Sequence, residues 1–331
     1  MFENILGNDK IKKELIGSIN NEKYSHSYLF LGISGIGKKM IAKEFAKMIL
    51  CGGEKKYCNK CKSCIEFSSG NNPDFAEINP DGNNVKIEQI RELQRKIVEP
   101  PIISNKKVYI IDEAEKMNVA AQNAILKTIE EPPEYAIIFL LTTNRGAFLD
   151  TILSRCILLE TKPVSGKMIE RYLGERYKIP EEEAEFAAGF SLGNIGKAEA
   201  IVSSEEFQDL KELTLDILRY IHEIESYEIA DKVKEYKKYK ARIDDFFDIF
   251  LMWFRDILLL KADTSPNKDI ARRKIIFKNE YISLKKQADK LKMDSIDYII
   301  NRINHARIRI KSNVNFDATL ELLIVEARRE F

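Results

Sequence analysis

Three glycines and a pair of lysines announce the chemistry this chain is equipped for. In Gly32-Ile33-Ser34-Gly35-Ile36-Gly37-Lys38-Lys39 the spacing G-x-x-x-x-G-K is that of a phosphate-binding loop. Glycines let consecutive backbone N–H groups turn inward as an anion nest, and the helix that follows adds the positive end of its dipole. Lys38 would then reach the β- and γ-phosphates. The last position breaks the pattern: where Ser or Thr would place a hydroxyl on Mg²⁺, this chain has Lys39. The expectation is poorly held Mg²⁺ and, at most, weak nucleotide binding through Gly32, Gly35, Gly37, Lys38 and Lys39.

Two acids belong to the same chemistry. The run Lys107-Val108-Tyr109-Ile110-Ile111 is apolar in the way a buried parallel strand requires, and it ends in Asp112 and Glu113. Acids at the carboxyl end of such a strand lie beside the phosphates. Asp112 would orient Mg²⁺ through water and Glu113 would polarise the attacking water, a Walker B pattern. A second buried run, 136–141, leads into Thr142-Thr143-Asn144, which puts Thr143 at the same sheet edge. Beyond it Arg155 stands among Ile152, Leu153, Ile157 and Leu158. Spacing alone leaves two readings for it: an arginine that reaches a ligand, or a rim arginine paired with a carboxylate.

Four of the five cysteines, Cys51, Cys58, Cys61 and Cys64, fall within fourteen residues. Two overlapping C-x-x-C steps with a fourth cysteine one short loop away can surround a tetrahedral Zn²⁺. The segment between them is rich in Lys and Gly and poor in apolar residues, so a metal would supply order that a core cannot. A dithiol redox switch is the rival reading. Four protein ligands would make a closed, structural site.

The elements that must position these groups follow from patterning. A β-prone run, 27–31, precedes the loop, and a helical period (Met40, Ile41, Phe45, Ala46, Met48, Ile49) follows it. Helices are expected over 85–98, ending at Pro100-Pro101, and over 119–129, capped by Asn118 and ended by Pro132-Pro133. The opening residues Phe2, Ile5 and Leu6 either close over an adenine or simply pack on the domain. Past Pro163 the strand signal disappears and helical faces take over, among them Phe207, Leu210, Ile217, Leu218 and Ile221. Asn315 is placed to cap a last helix, and lysines 232, 234, 237, 238 and 240 read as a solvated helix face.

At 331 residues, 44% hydrophobic, the chain is long enough for two or three domains with a substantial core. Its net charge of +1 offers no global electrostatic argument for DNA, RNA or membrane. The apolar runs are too short to span a bilayer, and Met1-Phe2-Glu3-Asn4 reads as neither signal nor transit peptide. A cytoplasmic protein with reduced thiols is the expectation.

Taken in order, the phosphate loop, the four-cysteine insert, Ile111-Asp112-Glu113-Ala114, Leu126-Lys127-Thr128-Ile129-Glu130-Glu131-Pro132-Pro133, Thr142-Thr143-Asn144 and Ser154-Arg155-Cys156 resemble the bacterial clamp-loader ATPases. These are AAA+ proteins of the DNA polymerase III holoenzyme, and the likeness covers about residues 1–200. It implies an α/β P-loop AAA+ domain with a parallel sheet flanked by helices and a zinc-binding insert at 51–64, spanning 1–162. A small helical lid over 163–204 and an all-α collar over 205–331 would follow. It also implies that Thr143 is the sensor-1 position and that Arg155 is an arginine finger inserted in trans into a neighbour's ATP site. The family's sensor-2 arginine belongs on the helix after Ser191-Leu192-Gly193-Asn194, where this chain has Gly196 followed by Lys197. Two nucleotide-handling groups are thus lost while the finger is kept. The pattern fits a subunit with little or no ATPase of its own, working in a hetero-pentameric ring with tau/gamma and delta subunits, the sliding clamp and primed DNA. A tau/gamma-type ATPase that hydrolyses ATP itself, and a zinc-dependent nucleic-acid-binding module, are the alternatives.

Overall fold

A computed structural model of the chain describes residues 2, 3, 5–53, 56–263, 272 and 274–331. Met1 and Asn4 of the opening segment, and Glu54 and Lys55 of the cysteine segment, lie outside them. The chain divides into two compact units, 1–172 with 191–197, and 173–190 with 198–331.

The first unit is built on one parallel sheet of five strands: β1 (Ser27–Leu31), β2 (Phe75–Ile78), β3 (Lys107–Ile111), β4 (Ala136–Thr142) and β5 (Ile157–Glu160), in the order β2-β3-β4-β1-β5. This is the expected α/β architecture, a parallel sheet flanked by helices with the phosphate-loop sequence after β1. Successive side chains of a strand point to opposite faces, so β1 serves two cores. Tyr28 and Phe30 pack with Ile41, Phe45 and Phe139, whereas Leu29 packs with Tyr109, Ile138 and Ile125. Phe139 alone meets the rings of Tyr28, Phe30 and Phe45 at 5.4–5.5 Å.

Helices α1 (Asp9–Asn20) and α2 (Lys38–Leu50) contribute to the first core, and α4 (Ile87–Ile97), α5 (Val119–Glu130) and α6 (Asp150–Leu153) to the second; the short α3 (Lys62–Ser68) follows the cysteines. Asn118 caps α5 as expected, its Oδ1 accepting the Ala121 N–H at 2.9 Å. Phe2 and Ile5 are buried in the first core, which is the packing reading of the opening segment. Register sets the working edge: Leu31 lies opposite Thr142, and Ile111 opposite Leu140. The loops that leave β1, β3 and β4 therefore emerge side by side.

Helices α7 (Gly166–Tyr177) and α9 (Ile195–Ser203) contribute residues to both units. Among the described residues the second unit is helical, with α8 (Glu181–Phe190), α10 (Glu205–Arg219), α11 (Ser226–Glu235), α12 (Ile243–Ala262), α13 (Tyr281–Lys290), α14 (Met293–Lys311) and α15 (Phe316–Arg329). Buried Trp253 donates to Gln287 at 2.8 Å, and Gln287 donates to the Leu218 carbonyl at 2.7 Å, which ties α12, α13 and α10 together. Asn315 caps α15. The lysine run is taken up locally: Lys237 pairs with Asp317 and Lys234 with Asp231, each at 2.7 Å, and Lys240 sits over the Phe316 ring. Among the described residues no helix is long and apolar enough to cross a membrane.

Candidate functional site

The phosphate loop joins β1 to α2 as its spacing requires, but its groups face one another. The Lys38 ammonium donates to the carbonyls of Gly32 at 2.6 Å and Ile33 at 2.9 Å, and burial lowers its pKa. Lys39 stands 3.0 Å from Asp112 Oδ2 and 3.0 Å from Glu77 Oε2, and donates to Asn79 Oδ1 at 3.1 Å. Its partial burial works against the charge, yet Glu77 and Asp112 raise the pKa overall. Glu77, which also pairs with Lys43, is half-buried, yet the two lysines hold its carboxyl below the usual range. A lysine ammonium thus pairs with Asp112, the carboxylate that the Walker B pattern reserves for a metal ion.

The donor set therefore does not fit Mg²⁺. A divalent ion about 4 Å from the Lys39 charge would meet a repulsion of about 8 kcal/mol at an effective dielectric near 20.

The other expected groups at this edge are engaged with protein. Glu113 is exposed, with its backbone in the left-handed region, and pairs with Lys116 at 2.8 Å. The Thr143 hydroxyl meets Glu115 Oε1 at 2.5 Å, and its N–H donates to the same oxygen at 3.2 Å. Neither Glu115 nor Glu77 was among the residues singled out by sequence. An acid inside the strand Phe75-Ala76-Glu77-Ile78 was the available signal for the latter.

A chain segment distant in sequence closes on the loop. The Asn194 amide donates to the Ser34 carbonyl at 2.6 Å, and the Gly196 N–H donates to the Gly35 carbonyl at 3.1 Å. A Cβ at Gly196 would stand 2.9 Å from the Gly35 oxygen, and one at Gly35, where φ is +77°, would stand 2.7 Å from Asn194 Oδ1. Position 196 therefore has no room for a side chain, which accounts for the glycine where the resemblance puts a sensor-2 arginine. Gly196→Ala is expected to cost about 1–3 kcal/mol of local opening free energy. Amide hydrogen exchange at residues 33–37 and 191–197 should rise accordingly. Unchanged exchange would mean that the close approach relaxes at no cost.

Arg155 follows α6 and is exposed. Its Nη1 donates to the Thr151 carbonyl at 2.9 Å and to Ser154 Oγ at 3.3 Å, and its Nη2 lies 3.0 Å from Glu130 Oε1 at the end of α5.

The cysteines do converge. The Sγ atoms of Cys51, Cys58, Cys61 and Cys64 all lie within 4.8 Å of one another. Tetrahedral zinc with Zn–S bonds of about 2.3 Å sets its sulfurs about 3.8 Å apart, so the set fits. Backbone N–H groups already point at the sulfurs: Gly53 and Cys58 toward Cys51 at 3.4 and 3.3 Å, Cys61 toward Cys58 at 3.3 Å, and Cys64 toward Cys61 at 3.4 Å. The N–H groups of Lys60 and Cys61 bring the Cys58 thiol down to about 6, whereas burial pushes Cys64 up. Zinc bound there would hold all four as thiolates and order the segment. The insert is seated by polar contacts: Ser104 Oγ donates to the Leu50 carbonyl and contacts Ser63 Oγ, both at 2.9 Å. Buried Asp74 accepts the N–H groups of Ile102, Ile103 and Ser104, each at 2.7 Å.

A family model described as DNA polymerase III, delta subunit, matches residues 7–165. The DNA polymerase III subunit delta′ of Bacillus subtilis (strain 168) is 31% identical over 320 residues, covering 96% of this chain and 94% of that protein. The chain belongs to the DNA polymerase III subunit delta′ family. Another delta′, from Pseudomonas aeruginosa, is 27% identical and is covered over 92% of its length, as is this chain. The match to DNA polymerase III subunit tau of Bacillus subtilis is 28% identical and covers 93% of this chain but 59% of tau.

Proposed function

We propose that this chain is a delta′-type subunit that performs little chemistry of its own and completes the ATP site of a neighbour. The carrying observation is the Lys39 ammonium on Asp112 and Glu77, in the place a metal ion would need. The Asn194 and Gly196 contacts to the phosphate loop support the same reading, because they pack a segment with no sensor-2 arginine directly against it. Thr143, at the sensor-1 position, has its hydroxyl and N–H on Glu115. Asp112 and Glu113 keep the Walker B pattern without a catalytic task in this chain.

Arg155 keeps the charge and the exposed position that a finger in trans needs. Its target would be the γ-phosphate held by an adjacent tau/gamma-type subunit. We assign residues 1–162 as the AAA+ body with a structural zinc at Cys51, Cys58, Cys61 and Cys64, 163–204 as the lid, and 205–331 as the collar that joins tau/gamma and delta subunits in a hetero-pentameric ring. In the cytoplasm the ring would open the sliding clamp and load it on primed DNA.

The isolated chain is expected to show negligible ATP hydrolysis with Mg²⁺ present, measured as phosphate release. Turnover within the ~1–100 s⁻¹ of working phosphotransferases would show that Lys39 and Gly196 are tolerated, and would favour the tau/gamma-type reading.

A further inference from the structure

Glu130 is an odd residue in an odd place. It is the last residue of α5, where the negative end of the helix dipole disfavours a carboxylate. Its side chain is 43% exposed, so no burial requirement fixes it, and the cation it meets is Arg155, 3.0 Å away. Arg155 in turn is held from two sides. Both Nη1 hydrogens are directed to its own neighbourhood, at Thr151 O and Ser154 Oγ, and Glu130 occupies Nη2. Guanidinium binds phosphate best as a two-pronged fork of parallel N–H groups. With Nη1 spent and Nη2 facing a carboxylate, the end-on fork is not on offer.

We propose that Glu130 is a latch that keeps Arg155 neutralised in the free chain and yields it only to a phosphate anion presented by the neighbouring subunit. The proposal rests on the reading of Arg155 as a finger and adds its regulation. An exposed ion pair is weak, so a terminal phosphate carrying about two negative charges outcompetes the carboxylate, whereas singly charged anions do not. Glu130 is a positioning residue: it acts through Arg155 and touches no reacting atom.

Glu130→Gln keeps the shape and an oxygen but removes the charge. In the isolated full-length chain, phenylglyoxal labelling of Arg155, followed by mass spectrometry, should become about two- to fivefold faster, the range that an exposed ion pair spans. In clamp loaders reconstituted with their ATPase subunits, the same variant should lower KM for ATP at the affected site by a similar factor with kcat unchanged. The gain should vanish in the double variant with Arg155→Ala. Unchanged labelling and unchanged KM, in a complex that Arg155→Ala does disable, would overturn the latch and leave the finger standing. A fall in kcat would likewise overturn it, by making Glu130 a support that presents the guanidinium. Faster labelling in a complex that Arg155→Ala leaves fully active would overturn the finger reading, and with it the latch as a control on ATP turnover.

Discussion

Arg155→Ala is expected to leave the isolated chain folded and zinc-loaded, and to silence one ATP site of the assembled clamp loader. The side chain is 40% exposed and its partners are a surface carboxylate and the end of a four-residue helix, so the loss in stability should stay within about 1 kcal/mol. Where arginine fingers serve phosphoryl transfer, they are worth roughly 10³–10⁵ in rate. A ring with several ATP sites would lose that factor at one of them, so total DNA-stimulated turnover should drop by less, while clamp loading, which needs the sites together, should drop more. Arg155→Lys should rescue little, because an ammonium lacks the planar fork. The measurement mixes variant chain with wild-type partners and follows both ATP turnover and clamp loading. Wild-type values for both would reduce Arg155 to a rim arginine paired with Glu130.

Removing zinc should have the other large effect. Native mass spectrometry of the full-length chain should find one Zn²⁺, absent from Cys61→Ser. Apparent binding energies for such sites are on the order of 10–16 kcal/mol at neutral pH, so dilution will not strip the ion. Loss of one of four ligands should unravel residues 51–64, detectable as a sharp rise in hydrogen exchange confined to them and to α3. The sheet should survive, since Asp74 accepts the N–H groups of Ile102, Ile103 and Ser104, and Ser104 bonds the Leu50 carbonyl, with no cysteine involved. Four thiols that titrate freely in the native, metal-replete protein would exclude the site and restore the dithiol-switch reading.

Local chemistry was legible without a structure. The strand–loop–helix around Lys38, the Asn118 and Asn315 caps, and the end of α5 just before Pro132 each depend on a few adjacent residues, and all are present where patterning placed them. The cysteines are local in the same sense: two C-x-x-C steps bring sulfurs together by short-range geometry. Family membership was legible too, because an ordered set of such motifs is more specific than any one of them.

What the groups do to one another depended on tertiary structure. From sequence, Lys39 is merely a missing hydroxyl. The register of β2 against β3 is what carries Glu77 and Asp112 to its ammonium, a pairing of residues 38 and 73 positions away in sequence. Gly196 is, from sequence, merely a missing arginine. The return of residues 191–197 onto the loop shows that no side chain fits there. Arg155 was left between two readings, and Glu130 became its partner only once α5 and α6 had packed. Propensity and period act over a few residues, whereas the strength of an electrostatic contact falls with distance in space. Separation along the chain does not specify that distance; the packed sheet and its helices do.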